Sequence, residues 1–224
     1  MIRIFKTTFF LLCVLPMLSA QEDSLLLTKN FSFDDGVYMT FESFQKNEPT
    51  YLWKDLRSNL VANPQTFLAQ VEFLELKEGN TRINLEKVWG ISIGGLPYIR
   101  LEKGAVKKKL TSFSALRLRG KICFFEYEDF EIVQIPMPVY NPVTGKPFMV
   151  SAVERNIKVY YSRILDFETG KIESLNVENL KYWVKDDAQL VKALESLGDD
   201  AKEKLFKSIL IYDDRHKVYI RSEE

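Results

Sequence analysis

The chain has 224 residues, 31 basic and 31 acidic side chains, and 46% hydrophobic residues. That length supports one sizeable core or two small ones, and zero net charge exerts no overall pull on nucleic acid or anionic surfaces. One histidine (His216) and two cysteines (Cys13 and Cys123) leave too few ligands for a nitrogen/sulfur zinc site and too few thiols for a disulfide framework.

The first twenty residues read as a secretory signal peptide. Arg3 and Lys6 precede a short apolar run over 9–15, and Leu18-Ser19-Ala20 offers small residues before Gln21. The run is too short to span a bilayer. Cleavage after Ala20 would leave Cys123 as the sole cysteine, inside the apolar run 121–127 and expected to be a buried small hydrophobe. The remainder, 21–224, reads as a single domain without a transmembrane segment, periplasmic or extracellular in location.

Residues 21–30 are a polar lead or an added strand. Gly36 starts a brief strand over 37–39. Thr40 then suits the N-cap of a short helix, 41–46, with Phe41 and Phe44 on one face. Residues 55–62 read as a helical turn closed by Asn63-Pro64, and 67–76 as a strand followed by a turn at Glu78-Gly79-Asn80.

The clearest hairpin is 88–101. Trp89, Ile91 and Ile93 alternate, Gly94-Gly95 permits a two-residue primed turn, and Leu96, Tyr98 and Arg100 return. The expected register sets Ile93 opposite Leu96, Ile91 opposite Tyr98 and Trp89 opposite Arg100, with the guanidinium over the indole. The Trp89 face is expected in the core, with a ligand-binding face as the alternative.

A turn at Lys103-Gly104 leads to strands at 110–118 and 121–128. A further strand at 132–139 holds Pro136 and Pro138, which suits an edge or a bulge. After a turn at 141–147, segments 148–153 and 157–165 are expected to pair with each other. A loop at 166–171 precedes a last short strand, 172–175. The strings Thr144-Gly145-Lys146 and Thr169-Gly170-Lys171 lack the spacing of a phosphate loop and read as turns. Beyond residue 175 the pattern turns helical: 176–185, then 188–197 capped by Asp186 or Asp187 and closed by Gly198. The last helix starts at Asp199 or Asp200 and breaks at 213–216. Residues 218–220 return as a strand.

The expected fold is α+β: an antiparallel meander over 67–175, curled or barrel-like, with a short N-terminal helix and a helical tail over 176–216.

Three functions follow from the same residues. The first is a non-enzymatic exported protein binding anionic envelope material or another envelope protein, with nucleic acid disfavoured by export. Its candidate anion-binding residues are Arg100, Lys107, Lys108, Lys109, Arg117 and Arg119, in a segment with one acid, Glu102. The second is a hydrolase using paired carboxylates among Glu126, Glu128, Asp129 and Glu131. The third is a structural partner subunit with an apolar patch around Phe31, Phe33 or Tyr51. No cofactor motif is present, and calcium at Asp34-Asp35 or Asp213-Asp214 lacks the alternating ligand spacing of a dedicated loop.

The segments GVYMTFESFQKNEP at 36–49, VWGISIGGLPYI at 88–99 and LDFETGKI at 165–172 resemble a family of secreted proteins of Bacteroidota. Those motifs carry no assigned chemistry. The resemblance implies export and hands over no functional residue.

Overall fold

The structure is a computed structural model that describes residues 24–102, 109–197 and 201–221. The expected leader, the Lys103-Gly104 turn, Lys107, Lys108, Gly198 and Asp199-Asp200 lie outside the described residues.

Twelve strands and four helices are described: β1 (Ser24–Leu26), β2 (Gly36–Tyr38), α1 (Phe41–Gln45), β3 (Tyr51–Leu52), β4 (Leu56–Asn63), β5 (Leu68–Leu76), β6 (Gly90–Ile93), β7 (Leu96–Arg100), β8 (Thr111–Leu118), β9 (Ile122–Tyr140), β10 (Pro147–Asp166), β11 (Ile172–Ser174), α2 (Val177–Trp183), α3 (Ala188–Glu195), α4 (Ala201–Arg215) and β12 (Tyr219–Arg221). The main sheet runs β11-β10-β9-β8-β7-β6-β2-β3, with β5 also on β8 and β4 on β5. Every pairing is antiparallel, and the sheet stays open rather than closing into a barrel. β1 and β12 form a separate pair.

Local chemistry accounts for many of the boundaries. Thr40 and Ser43 form a reciprocal capping box on α1, Asn176 caps α2 and Asp187 caps α3. The β6–β7 hairpin has the expected register, with Ile91 opposite Tyr98 and Ile93 opposite Leu96. Gly94 and Gly95 have φ of 60° and 74°, which their missing side chains allow. Residues 141–146 and 166–171 build the same turn. Asn141 and Asp166 each accept, through Oδ1, the N–H groups two and three residues on. Each carbonyl accepts from the glycine N–H at 2.8 Å. The two T-G-K strings are thus Asx-type turns.

Several expectations need correction. Residues 55–62 are not a helical turn: Asp55 ends a 3-10 turn over Trp53–Asp55, and 56–62 belong to β4, which finds its backbone partners on β5. Segments 148–153 and 157–165 do not pair with each other; both belong to β10, which pairs along its length with β9. The segments read as 121–128 and 132–139 are likewise one strand. α4 continues to Arg215 instead of stopping at Asp213.

Both faces of the sheet base are buried. On one side, Cys123, Phe125 and Leu165 join Tyr38, Phe44, Ile99 and Phe167. On the other, Ile122, Phe124 and Ile164 meet Leu180 and Val184 of α2, Leu190 and Leu194 of α3, and Leu205, Ile209 and Tyr212 of α4. A third cluster joins Val37, Ile91, Tyr98, Phe113, Val71 and Leu74. Each large apolar side chain so buried contributes roughly 1.5–3 kcal/mol.

Trp89 precedes β6 and does not share the face of Ile91. Its ring lies 4.5 Å from Phe44 and 5.3 Å from Phe41, in the first cluster. Arg100 does not stack on it; Nε donates to the Val88 carbonyl at 2.8 Å. The hairpin is scaffold.

Candidate functional site

The base of the β9–β10 pair is embedded. β8 lines β9 as far as Phe125, and β11 lines β10 from Arg163 onward. Between those limits and the turn at 141–146, β9 and β10 continue as a two-stranded ribbon paired only with each other.

The register fixes which side chains share a face. Tyr127 opposes Tyr161, Val133 opposes Arg155, Ile135 opposes Val153, Met137 opposes Ser151 and Val139 opposes Met149. This odd-numbered face is mostly apolar. The even-numbered face carries Phe130, Ile132, Pro136, Pro138, Val150 and Ala152 among polar neighbours. From 135 to 153 the only charged residue is Lys146. Val143, Val150 and Phe148 are 90%, 67% and 63% exposed. A run of exposed apolar side chains of this kind marks an interaction site more often than chance exposure does.

The ribbon's root is polar and tightly tied. Glu126 accepts from Arg117 at 2.8 Å and Ser162 at 3.0 Å, and pairs with Lys202 of α4. Burial pushes the Glu126 carboxyl up, but Lys202, Ser162 and Arg117 outweigh it and hold the group below its ordinary value. Glu128 pairs with Lys158 at 2.9 Å. The Tyr161 hydroxyl donates to Glu131, which pushes the phenol up to about 12. Asp129 is buried and accepts the N–H of Phe130 at 2.7 Å.

These are the four carboxylates considered for hydrolysis. Glu126 and Glu128 lie on one face of the ribbon, Asp129 and Glu131 on the other. His216 stacks on Tyr212 at 4.1 Å and lies 3.4 Å from Asp186. Cys123 is fully buried and its thiol is pushed up to about 12, chiefly by burial. Among the described residues no group of three or more His, Cys, Asp or Glu gathers to hold a metal. Asp35 instead accepts from Gly94, Gly95 and Ser92. A surface groove of about 360 Å³, lined by Lys54, Asp55, Leu76, Lys77 and Glu78, lies at the β4–β5 base.

Each described candidate anion-binding residue is engaged by a partner within the chain. Arg100 is held by Val88. Lys109 pairs with Glu72 at 3.1 Å. Arg117 pairs with Glu126 and lies 4.8 Å over the Phe67 ring. Arg119 donates to the Lys29 carbonyl. Lys107 and Lys108 lie outside the described residues. The apolar patch expected at Phe31, Phe33 or Tyr51 is not exposed: Phe33 is buried, and Phe31 and Tyr51 are half-buried.

The exposed apolar surface lies on the ribbon instead. Its sequence signal was a nearly uncharged stretch centred on an Asn-Pro-Val-Thr-Gly-Lys turn. Among the described residues no helix is long and apolar enough to cross a membrane. No protein-family model, curated protein or solved structure matches this chain.

Proposed function

We propose that this is an exported, non-enzymatic binding protein, a partner subunit of an envelope assembly that docks through the β9–β10 ribbon. The supporting observation is the ribbon: apolar on both faces over 135–153, and open along both backbone edges. Open edges argue for a polypeptide partner rather than lipid. Unpaired N–H and C=O groups are costly in hydrocarbon, whereas a strand satisfies them. The compact body beneath serves as the mount.

A shortened variant tests this reading. Glu131 and Ile157 face each other in register with their backbone groups turned toward one another, so Asn-Gly can replace 132–156 as a two-residue turn. The variant is expected to keep the cooperative unfolding of the body and to lose retention by native envelope material. Equal retention of both proteins would refute the ribbon as the docking element.

A further inference from the structure

The two edges of the ribbon differ, and we propose that the β10 edge pairs with the β10 edge of a second copy of this chain. The pairing is antiparallel about Val153 and makes a four-stranded sheet across a two-fold axis. This rests on the ribbon being the docking element.

The argument begins with proline. The β9–β10 ladder runs through Pro136 opposite Ala152 and Pro138 opposite Val150. Proline has no N–H, so at these positions the β9 nitrogen faces away from β10. Even-numbered residues of β9 therefore point their backbone groups to the outer edge. There Pro136 and Pro138 remove two donors, and the Asp129 carboxylate occupies the N–H of Phe130. Prolines and capped donors are how edge strands are guarded against pairing.

β10 has no such guard. Its even-numbered residues also face outward, as the Ser162 carbonyl shows by accepting from Leu175 N–H at 2.9 Å beside β11. Between Pro147 and Asp166 the sequence has no proline. Val150, Ala152, Glu154 and Asn156 thus present an unbroken edge.

Charge and space select the register. Outward-facing groups on both copies must meet, so the two-fold axis passes through a residue. An axis at Glu154 or Arg155 sets like charges directly opposite each other, which is destabilising. An axis at Asn156 drives the copy's residues 147–149 into the strip beside 163–165 that β11 already holds. An axis at Val153 meets neither obstacle, and it overlaps more of β10 than an axis at Ala152 or Ser151 would. Val153 then faces itself, Met149 faces Ile157, Ser151 faces Arg155, Ala152 faces Glu154 and Val150 faces Asn156. This joins nine residues of each copy, roughly 30 Å of strand, with about eight backbone hydrogen bonds. It also merges two apolar odd-numbered faces. A lone two-stranded ribbon is marginal in water, and four strands are not.

The axis pair is non-hydrogen-bonded, with Cα atoms about 4.5 Å apart, within disulfide range. In a Cys13→Ser background, Val153→Cys is expected to oxidise to a covalent dimer, while Val159→Cys, which does not face itself, stays uncross-linked. Sedimentation equilibrium is expected to give a dimer for the parent protein. Ala152→Pro removes an outward donor without touching the ribbon's own ladder, and should weaken the dimer by about tenfold or more.

A monomeric parent, a dimer indifferent to Ala152→Pro, or equal cross-linking at Val159 would overturn the proposal. If Ala152→Pro does not fold, the cysteine pair still decides. A monomer that retains ribbon-dependent envelope binding would defeat self-pairing and leave the docking role standing. Loss of both would defeat both.

Discussion

The Asp35 carboxylate accepts the backbone N–H of Gly95 at 2.8 Å. It also takes the N–H of Gly94 at 3.0 Å and the Ser92 hydroxyl at 3.2 Å. One side chain thereby satisfies the tight turn of a hairpin sixty positions away in sequence, while Phe33 N–H donates back to the Gly95 carbonyl at 3.1 Å.

Asp35→Ala should therefore destabilise the fold by about 1–3 kcal/mol, the usual cost of stranding donors that a charged acceptor had satisfied. Urea unfolding measures it. A change under about 0.5 kcal/mol would match an ordinary surface site and contradict the clamp.

Gly95 is constrained twice: φ is 74°, and a Cβ there would sit 2.0 Å from Ser32 Oγ. Gly94 shares the positive φ, 60°, but has open space. Gly94→Ala should cost about 1–2 kcal/mol from the backbone alone, and Gly95→Ala more. Ser32→Gly should recover part of the loss in Gly95→Ala and none in Gly94→Ala. Equal losses at both glycines would rule out the steric contribution.

Asp213 predicts an unusual pH dependence. Its Oδ1 accepts Ile122 N–H at 2.9 Å, and Oδ2 is buried against Gly120 without a partner among the described residues. Burial raises the carboxyl to about 7, against the opposing pull of Lys217, Lys121 and the Ile122 N–H. Between pH 4 and 7 the folded protein keeps a proton that the unfolded chain releases. Stability from this group is thus full below pH 4 and falls as pH rises, by on the order of 3–4 kcal/mol. Asp213→Asn should flatten that slope in thermal melts across pH 4–8. A parallel slope in both proteins would assign the pH dependence to other groups.

Glu126 carries the opposite sign. Its carboxyl is held below the ordinary value, so its stabilisation is present at neutral pH and lost on acidification through the folded value. Glu126→Gln should cost about 1 kcal/mol at pH 7, as suits partners that are partly exposed. The difference from the parent should close only once the pH has fallen below the lowered value of the folded carboxyl. A gap that persists in acid would mean that shape, not charge, matters there.

Sequence-local features were legible. Thr40 and Asp187 cap helices by contacts within three residues, and Gly94-Gly95 sets its own hairpin register. Residues 55–62 were not legible, because β4 is largely exposed and acquires its strand geometry from β5. Glu154-Arg155-Asn156 resembles a polar turn between two apolar runs, yet the chain continues straight because β9 supplies hydrogen bonds throughout. Pro136 and Pro138 pointed to an edge or a bulge. At outward-facing positions they interrupt only what lies outside the ribbon. Asp35 could not be assigned its turn, since nothing nearby in sequence marks a contact of that span.

β1 and β12 place Ser24 opposite Arg221, and Leu27 is sealed by its N–H to the Val218 carbonyl at 2.9 Å. A ribosome or translocation channel delivers these two strands at very different times. The ribbon, whose strands are joined by a tight turn, can form as soon as residue 166 emerges. Leu27 and Ile220, both in the first core cluster, meet only after β12 has followed. The apolar stretch at 135–153 is therefore synthesised before the body that carries it is closed, and a chaperone acting during that interval would find that stretch first.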